Sequence, residues 1–369
     1  MTFSCLFPLD GHIVALPDPD LTLRAESAGD VPALIEQIHS RMASEFVFAA
    51  GLMPYELNPV VSGAGAMVVH LYKTAPQRLE DLPPAAVPPF SLDLPFQPEQ
   101  SKDAYLASLA RIKAYLAAGD CYQVNLAQRF VSSYTGSPLT AWLALQSRHP
   151  APHSCYFDAG NAQVFGVSPE RFLSVTGRQV VTEPIKGSRP RGNTPVEDDA
   201  LGIELRNNPK DQAENLMIVD LLRNDLGACC EPGTVTATPL FELRRFSNVQ
   251  HLVSTISGVL KEDLSPLHAL WQAFPGGSIT GAPKKRAMEI IAELEPVPRG
   301  AYCGSFFWMD NKGNLDSNIL IRTLQTDGNK LYCHGGGGIV FDSDPQSEYE
   351  ESRFKVEKLM GALEERFLE

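Results

Sequence analysis

The chain carries the stretch AYCGSFFWMDNKGNLDSNILIRTLQTDGNKLYCHGGGGI at residues 301–339, which decides its fold class. Its apolar and β-branched runs predict three consecutive strands, at 301–309, 317–326 and 330–333, with no helix between them. Strands joined this way pair antiparallel, because a parallel pair needs a longer crossover connection. Since single helices separate the other strand groups without βαβ regularity, the sequence predicts an α+β fold with antiparallel sheets.

Helices are predicted where start and stop signals enclose apolar residues at three- and four-residue spacing. In the helix over 101–118 the spacing is carried by three leucines and an isoleucine, and Gly119 follows as a stop. Asparagine or aspartate before proline marks two further helix starts. The predicted helices cover 31–43, 101–118, 208–227, 283–294 and a closing helix that begins at 344–345 and buries Val356, Leu359 and Leu363.

A proline-rich segment divides the predicted organisation in two. Residues 74–100 contain seven of the chain's 29 prolines, which excludes a helix or a central strand because proline lacks a backbone donor. We therefore interpret 74–100 as a linker. It follows an N-terminal segment, residues 1–90 including the first part of the linker, and precedes a larger domain over residues 100–367.

The charge balance and the cysteines bear on the class of protein. The 369 residues include 31 Lys and Arg against 44 Asp and Glu, a net charge of −13. This argues against nucleic acid as a partner, because phosphate contacts need basic patches, but a small anionic substrate needs only a few local cations.

No apolar run approaches the roughly 18 residues of a membrane span, and the N-terminus does not resemble a signal peptide. Seven cysteines without a CxxC pair predict reduced thiols in a cytoplasmic protein.

Three charged residues share one face of the closing helix. Glu348, Glu351 and Lys355 stand at i, i+3 and i+7, a spacing that the polar face of any surface helix also shows. The preceding GGGGIVFDSDP, residues 335–345, favours a binding site, because glycines in a loop let the backbone approach a ligand and present N–H groups to an anion. The carboxylates would then hold a divalent cation, and the lysine would hold a ligand carboxylate.

A second acidic face is predicted on the helix over 208–227. Glu214 follows Asp211 by one turn, and it would complete an oxygen-rich Mg²⁺ site with Glu351, because Mg²⁺ accepts one or two carboxylates together with water and substrate oxygens. A solvated helix face is the alternative.

Two further residues are candidates for acid–base and covalent chemistry. Lys186, in EPIKGSRPR at 183–191, becomes a nucleophile if its amine is partly removed from water; an exposed turn lysine is the alternative. Glu170 is flanked by apolar residues, where a carboxyl kept protonated acts as a general acid; pairing with Arg171 is the alternative.

The segment GGSITG at 276–281 has the glycine spacing of a phosphate loop. Such a loop continues with Lys and then Ser or Thr, whereas here Ala-Pro-Lys follows, so nucleotide binding is not predicted. We expect instead that Ser278 and Thr280 offer hydroxyls at a helix N-terminus, which suits a carboxylate ligand.

Taken together, and in the order in which they occur along the chain, the motifs resemble those of the chorismate-utilising enzymes of the anthranilate synthase component I type. The resemblance covers roughly residues 100–366. The resemblance implies a fold of two stacked antiparallel sheets surrounded by helices, with a shortened N-terminal segment packed on the main unit and a chorismate-binding catalytic domain after it. It rests on GDCYQVNLAQRF (119–130), SPERFL (168–173), PIKGSRPRG (184–192), AENLMIVDLLRNDLG (213–227), FPGGSITGAPKKRAMEIIAELEP (274–296), YCGS (302–305), ILIRTL (319–324) and GGGIVFDSDPQSEYEES (336–352).

Two positions separate the reactions of this family. Lys186 matches the covalent nucleophile of the aminodeoxychorismate branch, where anthranilate synthases carry Ala. Gln123 stands where isochorismate and salicylate synthases carry a water-activating lysine, which favours ammonia as the incoming group. The resemblance therefore implies an aminotransfer of the transaminase class from ammonia to chorismate, giving 4-amino-4-deoxychorismate for p-aminobenzoate and folate synthesis. Ser188 stands where the family usually has Thr, a change that retains the hydroxyl.

The resemblance also implies roles for the other candidates. Glu170 would protonate the leaving C4 hydroxyl, with His251 near it. Mg²⁺ would be held by Glu214 and Glu351, with Glu348 beside them. The substrate-binding groups would be Arg322, Lys355, Gln123, Thr280 and the backbone of Gly337 and Gly338.

Ammonia is expected to come from a separate glutamine amidotransferase subunit, because the sequence has no Gly-x-Cys-x-Gly elbow. Anthranilate synthase component I, which releases anthranilate and pyruvate, is the main alternative. Isochorismate or salicylate synthesis and a non-catalytic ligand-binding relative are the others. Tryptophan binding is left open, because its motif is not recognised in the N-terminal segment.

Overall fold

The computed structural model of the chain describes residues 3–58, 60, 65–83, 87–245 and 249–368. Among these residues no helix is both long and apolar enough to cross a membrane. The described residues form the α-helices α1 (Val31–Met42), α2 (Lys102–Ala118), α3 (Pro138–Arg148), α4 (Pro195–Asn207), α5 (Pro209–Cys229), α6 (Pro266–Ala273), α7 (Lys284–Leu294) and α8 (Pro345–Phe367).

The strands are short except for two, β9 and β23, which carry much of the candidate site. They are β1 (Cys5–Leu9), β2 (His12–Leu16), β3 (Leu21–Ala25), β4 (Phe48–Met53), β5 (Met67–Tyr72), β6 (Gln77–Arg78), β7 (Phe90–Leu92), β8 (Gln97–Pro98), β9 (Gln123–Gly136), β10 (Cys155–Asp158), β11 (Gln163–Gly166), β12 (Arg171–Thr176), β13 (Gln179–Thr182), β14 (Ile185–Pro190), β15 (Thr236–Ala237), β16 (Glu242–Arg245), β17 (Val249–Val253), β18 (Ile256–Val259), β19 (Gly281–Ala282), β20 (Ser305–Asp310), β21 (Leu315–Asn318), β22 (Thr323–Asp327) and β23 (Lys330–Ile339).

The chain divides into two compact units that are not continuous in sequence. Unit 1 comprises Met1–Pro169, Ile279–Asn311 and Asn318–Glu369, and unit 2 comprises Glu170–Ser278 and Lys312–Ser317. The chain therefore leaves unit 1 after Pro169 and returns to it twice.

Unit 1 contains two antiparallel sheets. The larger has the strand order β19-β9-β23-β22-β11-β10-β1-β2-β6, with β7 and β8 also paired to β9, and the smaller has the order β20-β4-β5-β3. One apolar cluster joins Phe7 and Phe157 of the larger sheet to Phe48 and Phe306 of the smaller, so the sheets stack face to face. The helices α3 and α8 cover another part of the larger sheet through Trp142, Leu359 and Leu363. The α+β class and the stacked antiparallel sheets are as the sequence and the resemblance led us to expect.

The proline-rich segment lies on the larger sheet of unit 1. Its short strands β6, β7 and β8 pair with β2 and β9, and the side chains of Phe90 and Phe96 in this segment are buried. Residues 84–86 of the expected linker lie outside the described residues. Because β1 pairs with β10 and β4 pairs with β20, strands from before and after residue 100 share both sheets of this unit.

The described residues of unit 2 form three α-helices and two groups of antiparallel strands. One group has the order β15-β18-β13-β12, and the other is the three-stranded sheet β14-β17-β16. The helix α5 begins at the predicted Asn208-Pro209 pair, because the Asn208 side chain accepts from the backbone N–H groups of Lys210 and Asp211. The helix packs on α6 and on β14.

Several predicted elements agree with the structure within a few residues. The helix α2 has its N-cap at Ser101, which accepts from Ala104 N, and ends at Gly119 with φ of +81°. The closing helix α8 buries Val356, Leu359 and Leu363 as predicted. The helices α3, α4 and α6 were not predicted from the sequence.

Two predictions in the stretch that decides the fold class were wrong. The single strand expected over 317–326 is two strands, β21 and β22, because Arg322 between them has a left-handed φ of +51°, which a continuous strand does not contain. The glycines expected in a loop, Gly335–Gly338, belong to β23 and pair with β9. Their lack of a side chain serves close packing: a Cβ on Gly335 would collide with the carbonyl oxygen of Ser352 on α8.

Candidate active site

The predicted site residues are divided between the two units. Unit 1 carries Gln123, Thr280, Arg322, Gly337, Gly338, Glu348, Glu351 and Lys355, and unit 2 carries Glu170, Lys186, Glu214 and His251.

In unit 1, the charged face of α8 converges on the glycine strand. A Cβ added at Gly337 would lie 3.3 Å from Glu348 Oε2, 3.5 Å from Lys355 Nζ and 3.8 Å from Glu351 Oε1. The absence of a side chain at Gly337 thus leaves room beside two carboxylates and one ammonium group. This confirms the expected shared face of α8, although the backbone that it faces is a strand and not a loop.

These charged groups are held by specific contacts within unit 1. Lys355 Nζ lies 2.7 Å from Glu351 Oε1 and donates to Gly336 O at 3.1 Å. Ser343 Oγ donates to Glu348 Oε1 at 2.6 Å, and the Ser343 carbonyl accepts from Lys113 Nζ. The loop between β23 and α8 is therefore tied to the carboxylate of Glu348.

At the same end of β23, Gln123 lies against Gly338, and Thr280 bonds to the other side of β9. A Cβ on Gly338 would lie 2.9 Å from Gln123 Nε2, so the amide of Gln123 packs directly over this glycine. Asn125 N donates to Thr280 O at 2.9 Å, and Thr280 is completely buried. The described contacts give Gln123 Nε2 no hydrogen-bond partner. A buried amide donor without a protein partner is costly, which favours a ligand or water acceptor near Gln123.

Arg322 is exposed, at the left-handed backbone position between β21 and β22. Its carbonyl accepts from Val167 N at 3.1 Å. The substrate-binding role of its guanidinium stays a prediction.

A buried arginine that the sequence analysis missed supports this part of unit 1. The Arg299 side chain donates to both carboxylate oxygens of Glu295 at 2.7 and 2.8 Å, and to the carbonyls of Ile279 and Asn125 at 3.0 Å each. Its guanidinium also lies 4.6 Å from the ring centre of Tyr55. Arg299 therefore fixes the backbone next to Thr280 and the start of β9. A sequence pattern does not identify such a buried arginine, because arginine is usually a surface residue.

In unit 2, Lys186 lies on an irregular part of β14. The register of β14 against β17 shifts between Ile185 and Ser188, and Gly187 has a left-handed φ of +78°. A Cβ on Gly187 would lie 2.8 Å from Leu205 Cδ1 and 3.1 Å from Asp211 Cγ, so only glycine fits here. A bulge of this kind redirects a neighbouring side chain, which gives Lys186 a direction that a regular strand would not.

An ion-pair network anchors the start of this strand. The Glu183 carboxylate accepts from Arg171 and from Arg244, each at 2.7 Å. Arg171 also donates to Asp316, and burial raises the pKa of the Asp316 carboxyl, although Arg171 opposes the shift. The two arginines fix Glu183 three residues before Lys186.

Glu170 and His251 each have a hydroxyl partner within unit 2. Ser278 Oγ donates to Glu170 Oε1 at 2.9 Å, and Glu170 is buried. Ser188 Oγ lies 2.7 Å from His251 Nδ1, and His251 is buried as well. The hydroxyl of Ser278, expected to contact a carboxylate ligand, here contacts the carboxyl of Glu170.

Glu214 occupies the expected face of α5. Lys210, one turn earlier, places its Nζ 3.9 Å from Glu214 Oε1. Asp211 pairs with Arg189 at 3.3 Å. Among the described residues there is no group of three or more His, Cys, Asp or Glu side chains arranged to hold a metal ion, so the part of Glu214 in a Mg²⁺ site stays a prediction.

All seven cysteines are buried. Burial raises the pKa of the Cys155 thiol to about 12, which disfavours the reactive thiolate.

Comparison with known proteins places these features in one family. The family model for chorismate binding enzymes matches residues 44–361. The chain is 47% identical over 275 residues to aminodeoxychorismate synthase component 1 of Klebsiella aerogenes, covering 74% of this chain and 61% of that protein. It is 40% identical over 360 residues to aminodeoxychorismate synthase component 1 of Salmonella typhimurium, covering 94% of this chain and 79% of that protein.

A solved structure confirms the fold class. Anthranilate synthase component I from Streptococcus pneumoniae matches with a TM-score of 0.75 and 26% identity, over 96% of this chain and 89% of that chain. The chain spans only 61% of the length of the Klebsiella relative. The family model covers the PIKG lysine segment and α8 as far as residue 361. On these matches, the chain belongs to the family of chorismate-binding enzymes.

Proposed function

We propose that the chain is the chorismate-converting component of an aminodeoxychorismate synthase, and that Lys186 acts as a covalent nucleophile. The observation that carries the proposal is that Lys186 lies on the bulge of β14, next to Gly187, where the left-handed backbone and close neighbours leave room only for glycine. Two relatives named aminodeoxychorismate synthase component 1 support the same assignment.

The proposed reaction consists of two displacements. The neutral amine of Lys186 attacks C2 of the chorismate ring, the ring double bond shifts, and the C4 hydroxyl leaves as water with a proton from Glu170. Ammonia then adds at C4, the double bond shifts back, and the C2–nitrogen bond to Lys186 breaks. A covalent lysine adduct lets ammonia enter on the face that the hydroxyl left.

The buried contacts of unit 2 suit these roles. Hydroxide is a poor leaving group, so the departing oxygen needs a proton donor. Glu170 is buried and accepts from Ser278 Oγ, which fixes the direction of its carboxyl. His251 is proposed to bind the leaving hydroxyl.

The cluster at Gly337 fits a divalent cation and a substrate carboxylate. Glu348 and Glu351 supply the oxygen ligands that Mg²⁺ prefers, and Lys355 supplies a cation for a second carboxylate. Bound Mg²⁺ would neutralise a carboxylate of chorismate and orient the ring. Glu351 and Glu348 would hold the ion, and Lys355 would bind the enolpyruvyl carboxylate.

We also propose that ammonia is supplied by a partner glutamine amidotransferase. The word "component 1" in the names of both relatives implies a second component. Free ammonium should replace the partner in a purified assay.

The first experiment is a product assay. The purified chain is incubated with chorismate, Mg²⁺ and ammonium at alkaline pH, and products are identified by chromatography with mass detection. Formation of 4-amino-4-deoxychorismate without pyruvate supports the proposal. Anthranilate with pyruvate would establish the anthranilate synthase alternative, and isochorismate or salicylate would show that Gln123 does not exclude water.

The lysine step has its own test. In the absence of ammonia, the intact protein should gain the mass of chorismate less one water. Lys186→Ala should lose both this adduct and the product, whereas the control Lys358→Ala, at an exposed position of α8, should retain both. Full activity of Lys186→Ala would exclude the covalent mechanism.

A further inference from the structure

A cross-strand hydrogen bond links Ser188 of β14 to His251 of β17. The two residues stand directly opposite each other in the register, and their Oγ and Nδ1 atoms are 2.7 Å apart. Residues directly opposite in an antiparallel pair carry their side chains on the same face. The contact thus follows from the register, and the serine lies beside the imidazole rather than across the sheet from it.

Ser188 does not need the hydrogen bond to His251 in order to satisfy a buried hydroxyl. Ser188 is exposed, whereas His251 is only 7% exposed. An exposed hydroxyl is free to bond to water, so its contact with a buried ring nitrogen orders the ring at little cost to the fold. An alanine at this position should therefore leave the fold intact.

The neighbour on the other side of His251 does not provide the same restraint. Arg244 of β16 stands opposite His251, but its guanidinium donates to Glu183 Oε1 and to Glu242 Oε2, each at 2.7 Å. These carboxylates fix the direction of Arg244 and balance its charge. The contact of Ser188 with Nδ1 therefore bears directly on the orientation of the imidazole.

We propose that Ser188 is a positioning residue for His251, and that it directs the Nε2 side of the imidazole ring toward the substrate. The two ring nitrogens lie on different sides of the ring, so a partner at Nδ1 determines where Nε2 points. This inference rests on the proposed function, because that function makes chorismate the substrate that Nε2 faces. The Ser188–His251 contact itself does not depend on that function.

A double-mutant cycle tests whether Ser188 acts through His251. Ser188→Ala should lower kcat about tenfold or more with little change in KM for chorismate, because misorientation of a catalytic group acts on the transition state. Ser188→Thr, which retains the hydroxyl, should stay within about twofold of the original kcat. In a His251→Ala background, Ser188→Ala should have no further effect. Equal effects of Ser188→Ala in both backgrounds would overturn the proposal, because they would show a role independent of His251.

A second measurement does not depend on turnover. Long-range ¹H–¹⁵N spectra of histidine-labelled protein should show a shift of the His251 ring nitrogens in Ser188→Ala and their recovery in Ser188→Thr. The control Ser257→Ala removes another cross-strand hydroxyl contact of unit 2, to Thr236 Oγ1, and should leave kcat and the His251 signals unchanged. Unchanged His251 signals in Ser188→Ala would overturn the proposal. If the original chain made no aminodeoxychorismate, the proposed function would fail, and the spectra would still decide the Ser188–His251 contact.

Discussion

The ammonium nitrogen of Lys355 lies 2.7 Å from Oε1 of Glu351, one turn earlier on α8. Both groups are at least partly exposed, so the pair itself adds little to stability. Its consequence is for the binding proposed above, because a cation beside a carboxylate would compete with Mg²⁺ for the same oxygen and would at the same time attract an anionic substrate.

Removal of the Lys355 charge should therefore have opposite effects on two ligands. In Lys355→Met, Mg²⁺ should bind more tightly to the protein without substrate, because Glu351 loses a competing cation, and the KM for chorismate should rise about tenfold or more, because a charge-assisted contact is lost. Calorimetry with Mg²⁺ and steady-state kinetics at saturating Mg²⁺ measure the two effects. Lys358→Met on the same helix should change neither. Weaker Mg²⁺ binding in Lys355→Met would contradict this assignment.

The glycine strand should not tolerate a methyl group where α8 crosses it. In Gly335→Ala the new Cβ would meet the Ser352 carbonyl, and overpacking of this kind costs about 1–3 kcal/mol or more. Gly361 lies on α8 with no atom within 4 Å of an added Cβ, so Gly361→Ala should stabilise the protein by about 0.5–1 kcal/mol. Urea unfolding measures both. Equal effects of the two substitutions would contradict the packing in this structure.

Loss of the buried guanidinium of Arg299 should be far more costly than loss of an exposed one. Arg299 is 1% exposed and bonds to Glu295, so Arg299→Met leaves a buried carboxylate without its partner and should cost about 3–5 kcal/mol. Arg111 pairs with Glu293 at the surface, and Arg111→Met should cost about 0–1 kcal/mol. A cost for Arg299→Met as small as that of the control would mean that the buried pair does not hold the loop at 295–299.

His334 should make stability depend on pH. Burial, together with Arg129 and Arg299, lowers its pKa to about 3, whereas an unfolded histidine has a pKa of about 6.5. Below pH of about 6.5 the unfolded chain binds a proton that the folded chain excludes, so this contribution is present above that pH and is lost as the pH falls toward 3.

The variant His334→Phe retains an aromatic ring against Tyr302, on which His334 stacks at 5.0 Å. Its free energy of unfolding should fall less steeply between pH 6 and 4 than that of the original chain, by up to about 1.4 kcal/mol per pH unit. His12→Gln, at a partly exposed position of β2, serves as the control. Parallel pH profiles for the original chain and His334→Phe would show that His334 titrates normally in the folded state.

The sequence alone was sufficient to predict those helix ends that depend only on neighbouring residues. Ser101 and Gly119 delimit α2, and Asn208 begins α5, because caps depend on a few adjacent residues. The missed helix α4 has such a start at Thr194, but its apolar residues Val196 and Ile203 are 81% and 62% exposed. They therefore do not form the core-facing stripe on which helix prediction depends.

The sequence was insufficient where a residue's role depends on distant partners. The glycines at 335–338 were expected in a loop, because only the close approach of α8 explains their presence in a strand. Arg299 was not recognised, because its partner Glu295 stands only four residues earlier, whereas its carbonyl acceptors belong to the distant residues 279 and 125. For the candidate site, the face of α8 followed from helical spacing, whereas the bulge at Lys186 and the Ser188 contact required the structure.

The pairing of β9 with β23 has a consequence for biosynthesis. Residues 123–136 of β9 are translated well before residues 330–339, with which they pair. At a synthesis rate of roughly 5–20 residues per second, β9 waits about 10–40 s for its partner. During that time Val124, Leu126 and Phe130, all buried in the finished protein, have no β23 to pair with. The nascent chain should therefore depend on chaperones that shield this segment until residues 330–339 have been translated.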